Sequence, residues 1–424
     1  MNAEQPTVLV RMADAGDLYM SWRWVDGIAP RGASMLPAAP IDEAVRLLAA
    51  ALPNPNDPSG LEYALTRGAF ATPDAEYSLA QRLSRALLPS GLAEQLAALH
   101  HDGVRPHIRL QPSPRVAQVP WEIIAPAPTL RLIDIADISL LAPAGIVHAP
   151  GRIARSWAND RDLPVVAVLD PRIPGFRADS ALGSVLGRMS ESTPLTERVA
   201  EYAARGRIVP PVTAPSEIFR RTDVDRDWLG ETLRRGAARL IYVGHVTAAA
   251  PESGRSENAE LHLACTADSV GFAEPTRTHR PLSAKDLLLG THTLDVPPRA
   301  GSELWPMPSR VALIACESGG DLRFSEALGL TAAMINGGAE LVTASRWPLP
   351  TDLAFQRIAG APPDARPLQD TICAIDAAHE LPTPIAALAD WQRARSAHWR
   401  DKGAIEYSPI LWSAFATVST DPTP

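Results

Sequence analysis

Four short apolar runs constrain this chain more than any other feature: Val165 to Leu169, Leu240 to Val243, Val311 to Ala315 and Leu341 to Ala344. Each is rich in Val, Ile, Leu and Ala and shows little polar alternation. Strands buried on both faces of a parallel sheet read this way. Between the last two, Ser325 to Asn336 predicts a helix, with Ser325 as its N-cap and Gly337-Gly338 as its stop. Strand, helix, strand in that order predicts an α/β fold, a sheet of mostly parallel strands with helices on both faces.

The first third has a different texture and predicts a smaller mixed α/β region over 1–103, ahead of a main domain over 104–424. Val8 to Met12 and Leu18 to Trp24 read as a strand pair turning at Asp14, Ala15 and Gly16. Ile41 to Leu52 has a helical apolar period with Asp42 near its start, and Asn54 to Gly60 reads as a loop. Glu76 to His100 is helical in pattern, broken around Pro89 to Gly91. No repeat of solenoid length is visible.

In open parallel sheets, ligands bind beyond the carboxyl ends of the strands. The residues following the four runs are therefore the candidates. They are Asp170; then Gly244 and His245; then Cys316; then Ser345, Arg346 and Trp347. A thiol and an imidazole on one sheet edge suit nucleophilic catalysis. The thiolate attacks, and the imidazole handles the proton. Small residues follow Cys316, in Glu317-Ser318-Gly319-Gly320, so backbone N–H groups there can face a developing oxyanion. Cys265 and Cys373 lack such a context and read as packing residues.

Composition removes several function classes. The 424 residues carry 40 Lys and Arg against 48 Asp and Glu, net -8, without a long run of one sign, which argues against a nucleic-acid partner. Three widely spaced cysteines make neither a zinc motif nor a disulfide scaffold, and imply a reducing compartment. Met1 to Asp17 lacks the pattern of a signal peptide, and the longest apolar run, Ile138 to Val147, is about half of a ~20-residue membrane span. The expected location is cytoplasmic. The preference for arginine over lysine, with only Lys285 and Lys402, suggests a GC-rich, bacterial genome.

Five segments in order resemble the CHAT peptidase domain, a caspase-like branch of cysteine peptidases common in bacteria. Val119-Pro120-Trp121-Glu122-Ile123-Ile124 is similar to its Pro-Trp-Glu opening, and Leu240 to His245 to its histidine strand. Ala315-Cys316-Glu317-Ser318-Gly319 is similar to its nucleophile segment. Gly338-Ala339-Glu340 through Ser345-Arg346-Trp347-Pro348, and then Trp412-Ser413-Ala414-Phe415, resemble its next strand, its Trp-Pro turn and its closing strand. The resemblance spans Val104 to Val418.

That resemblance implies a caspase-like fold and a cysteine endopeptidase (clan CD) acting on a protein substrate through a thioester acyl-enzyme. His245 is then the general base and acid and Cys316 the nucleophile. The oxyanion donors are the backbone N–H groups of Val246 and Cys316. Asp170, Glu317, Ser345, Arg346 and Trp347 form the expected substrate-binding set, with Asp170 placed to select a basic side chain. No metal or organic cofactor is implied. Defence, cell death or signalling is the implied setting, with a possible activating or regulatory protein. One departure is Val246, where the family usually has glycine after the histidine. It motivates a second reading, a catalytically weak or inactive scaffold or sensor of the same fold; a thiol acyltransferase is a third. Two expectations concern loops. The segment Glu317 to Phe324 is too short to suggest that activation needs a cut there. Ala248 to Glu260 is polar and reads as an exposed, mobile loop beside His245, tethered by a strand at Leu261 to Cys265 and a capped helix over Pro281 to Leu289.

Overall fold

The computed structural model describes residues 5–54, 57, 59–294 and 296–420. Part of the expected loop Asn54 to Gly60 and the first residues of Met1 to Asp17 lie outside the described residues.

The four apolar runs form strands within one residue of the expected ends. They are β6 (Val165–Leu169), β8 (Arg239–Val243), β12 (Arg310–Ile314) and β13 (Leu341–Ser345), and every residue in them is buried. The other strands are β1 (Thr7–Ala15), β2 (Asp17–Trp24), β3 (Gly32–Leu36), β4 (His107–Gln111), β5 (Asp137–Leu141), β7 (Ile208–Val209) and β14 (Phe415–Ser419), plus three two-residue strands beside the site: β9 (Val246–Thr247), β10 (Glu260–Leu261) and β11 (Leu282–Ser283).

Among the described residues, eleven strands make one sheet in the order β3-β2-β1-β4-β5-β14-β13-β12-β8-β6-β7. Pairing is parallel except at β1–β2, β2–β3 and β13–β14. Direction therefore reverses at the β13–β14 seam, which separates a block β7-β6-β8-β12-β13 from a block that runs from β14 to β3. The second sheet is small and antiparallel, in the order β11-β10-β9.

The first third contributes its strands to the main sheet. β1 pairs in parallel with β4, so the strands on either side of the 103/104 boundary are neighbours. One apolar cluster runs from Val8 to Val418. Helices α1 (Ala38–Ala51), α3 (Pro73–Leu87) and α4 (Ser90–His101) fit the sequence reading, including the break at Pro89, whereas α2 (Gly60–Thr66) was not expected. Thr72 caps α3 by accepting the Ala75 N–H, and Pro73 fills the first position, where no N–H is needed.

Two boundaries differ from expectation. The helix before β13 covers only Leu330–Asn336, and Ser325 does not cap it. The Asp321 carboxylate reaches forward to the Ala332 N–H at 2.9 Å instead, and Gly329 occupies the cap because any Cβ there would strike that carboxylate. At the C-terminus, Pro409–Trp412 is a helical turn, and the closing strand begins at Phe415.

Candidate active site

β8 and β12 are parallel neighbours with Val243 opposite Ile314. His245 and Cys316 each follow two residues later, so register gives them equivalent positions past the carboxyl ends of neighbouring strands. The Gly244 N–H donates to the Ile314 carbonyl at 3.3 Å and carries the pairing one step further. Gly244 must be small: a Cβ there would lie 2.7 Å from the Tyr242 hydroxyl oxygen. That hydroxyl lies 2.7 Å from the His245 carbonyl oxygen and 2.8 Å from the His262 carbonyl oxygen and shares its one hydrogen between them, which fixes the backbone of the histidine.

The imidazole is oriented from its far side. His245 Nε2 lies 2.9 Å from the Gly183 carbonyl oxygen, so Nε2 carries the hydrogen. Nδ1 is left as the acceptor, and among the described residues no hydrogen bond reaches it. Burial lowers the His245 pKa below the ordinary value, so the ring is neutral at neutral pH.

Cys316 is half-buried. Burial pushes its thiol pKa up and the Glu317 carboxylate adds to this, while the Leu349 backbone N–H pulls the other way. Among the described residues no hydrogen bond joins Cys316 to His245. The resting groups are thus a neutral thiol and a neutral imidazole. The chain turns sharply after the thiol, with Glu317 in the left-handed region at φ 50. Gly319 passes so close to β13 that a Cβ would stand 3.2 Å from the Ser345 carbonyl oxygen.

The other sequence candidates correct several expectations. Ser345 is fully buried and does not face a cleft. Its hydroxyl donates to the Ala315 carbonyl and accepts the Ser318 N–H at 3.3 Å, clamping the turn after Cys316 onto β13. Arg346, 4% exposed, pairs with Glu122 at 3.0 Å and donates to the Ser413 and Phe415 carbonyls. Trp347 is 0% exposed, stacks on Phe70 at 6.1 Å and donates to the Ile410 carbonyl. These three side chains are consumed by packing, so substrate contact at them is excluded by burial. Glu317 is half-buried, and its Oε1 accepts from Gln118 at 3.3 Å and Arg323 at 2.9 Å.

Asp170 departs furthest from its expected role. Its carboxylate is 1% exposed and is taken up by the Ser184 hydroxyl at 2.5 Å, the Val185 N–H at 3.1 Å and Arg220 at 3.3 Å. A carboxylate so neutralised and covered is not free to select a basic side chain. What it does hold is the 183–187 turn, whose Gly183 carbonyl meets His245. Gly183, Ser184 and Arg220 carry no sequence signal of their own, because they lie in irregular loops.

Val246 opens β9, opposite Leu261. The His262 N–H donates to the His245 carbonyl at 3.1 Å, the bond that flanks a non-hydrogen-bonded pair. The Val246 N–H therefore points away from β10 and is not spent in that ladder. The loop beyond is anchored where the sequence predicts mobility. Ser256 is buried, donates to the Glu326 carbonyl at 2.7 Å and accepts the Leu328 N–H at 2.8 Å, while 250–255 are exposed. The expected strand at Leu261 to Cys265 shrinks to β10, and the capped helix is Ala284–Leu289, its box closed by Ser283 and Asp286. A hydrogen-bonded chain runs from the exposed Thr247 of β9 to the buried His262 and His279, with contacts of 2.8 and 3.0 Å. Among the described residues no group of three or more His, Cys, Asp or Glu is placed to hold a metal ion, and no helix is long and apolar enough to cross a membrane.

The CHAT domain family profile matches residues 78–359, more than half of the chain. None of the curated proteins matches. The chain is similar to chains in two crystal structures of the Saccharomyces cerevisiae separase-securin complex. One gives a TM-score of 0.42 at 11% identity over 98% of this chain, the other 0.45 at 10% over 97%. This chain spans 30% of the length of each. By the family match, which takes in both His245 and Cys316, the chain belongs to the CHAT domain family.

Proposed function

We propose that this protein is a cysteine endopeptidase that cleaves a protein substrate through His245 and Cys316. The observation that carries the reading is the parallel register of β8 and β12, which sets both residues two positions past a paired Val243 and Ile314. Three further features support it. The Gly183 carbonyl takes Nε2 and leaves Nδ1 for the thiol. The Val246 N–H is not spent in the β9–β10 ladder. The nucleophile turn is locked by Ser345 and Ser318.

The chemistry starts from the neutral pair. As the scissile carbonyl arrives, Nδ1 takes the thiol proton and Sγ attacks the carbonyl carbon. The backbone N–H groups of Val246 and Cys316 receive the oxyanion; one such donor is worth about 2.7–4 kcal/mol. The C–N bond then breaks, and the imidazolium gives its proton to the leaving amine. Water, deprotonated by the same imidazole, attacks the thioester and releases the acid and the thiol. The setting is a reducing bacterial cytoplasm, in defence, cell death or signalling, with a regulatory protein partner.

A second reading, an inactive scaffold of the same fold, is favoured by one observation: the resting thiol is pushed up by burial and is not bonded to His245. Co-expression with neighbouring gene products separates the two. New fragments that appear with native protein and vanish with Cys316→Ala support the peptidase. Identical fragment patterns with both forms support the scaffold.

A further inference from the structure

The two edges of the large sheet are finished differently. At one end, β7 has two residues and is followed by Pro210 and Pro211. A short strand ending in proline offers little to pair with, a common way to blunt an edge. At the other end, β3 has five residues, Gly32–Leu36, without a charge or a proline. Among the described residues no hydrogen bond reaches β3 from anywhere but β2. This edge is open.

The face beside it is open too. On β1, β2 and β3, alternate residues pack inward, including Val8, Val10, Leu18, Met20 and Trp22. The opposite alternates, Arg11, Tyr19, Ser21, Arg23, Ala33 and Met35, are exposed. Tyr19 and Met35 are direct cross-strand partners, 50% and 53% exposed. Trp22 pairs with Gly32, so Arg31 stands one step on, level with Arg23, and both line one hollow with Arg11. Like charges opposite each other on neighbouring strands are unfavourable unless an anion lies between them. Among the described residues Arg11, Arg23 and Arg31 have no carboxylate partner, and no carboxylate lines that hollow. This cationic floor sits on a chain of net charge -8.

We propose that β3 is a docking edge for an extended, acidic segment of a partner protein. The segment adds as a further strand. Its main chain bonds β3, its carboxylates meet Arg31 and Arg23, and its apolar side chains cover Met35 and Tyr19. Charge complementarity selects this occupant over a second copy of the chain, because edge-to-edge pairing of two copies would join two cationic floors. The open main-chain edge selects a polypeptide over a nucleic acid.

The test uses the whole protein and a short fluorescent peptide that carries two glutamates and then two valines on one alternate set of positions, with threonines between them, so that both kinds of side chain fall on the face of Arg31 and Met35. Two versions of it carry N-methyl groups on one or the other alternate set of backbone nitrogens. Binding is expected for the parent peptide and for one methylated version, and is lost for the version methylated on the bonding edge. Reversing both charges, with Arg23→Glu and Arg31→Glu, should weaken the glutamate peptide by about tenfold. The same variant should gain affinity for a lysine counterpart, which shows that it is folded. Cys316→Ala should bind as native protein does. The proposal is overturned if the glutamate peptide does not bind, if both methylated versions bind equally, or if an oligothymidylate competes as well as the peptide. A dimer dissociated by Ser34→Pro would also overturn it.

Discussion

The two blocks of the sheet bury their strands in different ways. In β6, β8, β12 and β13 every residue is buried, whereas β2 alternates buried and exposed along its length. A strand covered on both faces has no side chain to spare for chemistry, so function in that block is confined to the residues past its ends. A strand covered on one face keeps a row of side chains in solvent, and the row beside β1, β2 and β3 carries Arg11, Arg23 and Arg31, without a carboxylate partner among the described residues. The same sheet thus offers a site at strand ends on one side of the seam and a surface on the other.

The largest effect separating the blocks is catalytic. Cys316→Ala and His245→Ala should each reduce cleavage below detection while thermal unfolding stays within a degree or two of native. Arg11→Ala and Ser21→Ala, on the open face, should leave cleavage unchanged. Loss of cleavage in the open-face variants would erase the distinction.

Next in size is the tie across the seam. Glu122 lies between β4 and β5, and Arg346 follows β13, so their buried 3.0 Å pair joins the two blocks. Removing one partner strands the other charge, which costs about 3–5 kcal/mol. Denaturant unfolding of Glu122→Ala should show that loss. A loss no larger than that of a surface pair, about 0–1 kcal/mol, would contradict the burial argument.

Much of this was legible in the sequence for one physical reason. Strands buried on both faces read as unbroken apolar runs, so β6, β8, β12 and β13 could be placed, and with them His245 and Cys316. The Glu122–Arg346 pair was visible only as two motifs, because residues so far apart in sequence show no local pattern. Local pattern also misled: Ser325 is a good N-cap by type, but Asp321 reaches the helix from outside it. Trp347 and Arg346 follow a strand and carry reactive-looking groups, yet sequence position does not tell a cleft from a core.

A smaller effect tests Asp170. Asp170→Ala should release the 183–187 turn and with it the Gly183 carbonyl, lowering kcat by roughly 10- to 100-fold. The residue preferred before the scissile bond should not change, since the carboxylate is covered. A peptide library showing an altered preference would restore Asp170 to the substrate pocket. The smallest effect belongs to the loop after β9. Ser256→Ala should cost about 1 kcal/mol through its lost hydrogen bonds, while a Gly/Ser replacement of the exposed 251–255 tip should leave cleavage unchanged. A faster or slower enzyme after that replacement would mean the tip gates the site.

The central claim is that His245 acts as the base for Cys316, and the most direct measurement is the rate of Cys316 alkylation by iodoacetamide against pH. Burial lowers the His245 pKa and raises that of Cys316, so the thiol is protonated at neutral pH and reacts there only with help from the imidazole. Native protein should therefore react faster than His245→Ala near neutrality. The two curves should converge once the pH exceeds the raised thiol pKa, where the base is no longer needed. Superimposable curves across the whole range would contradict the pairing.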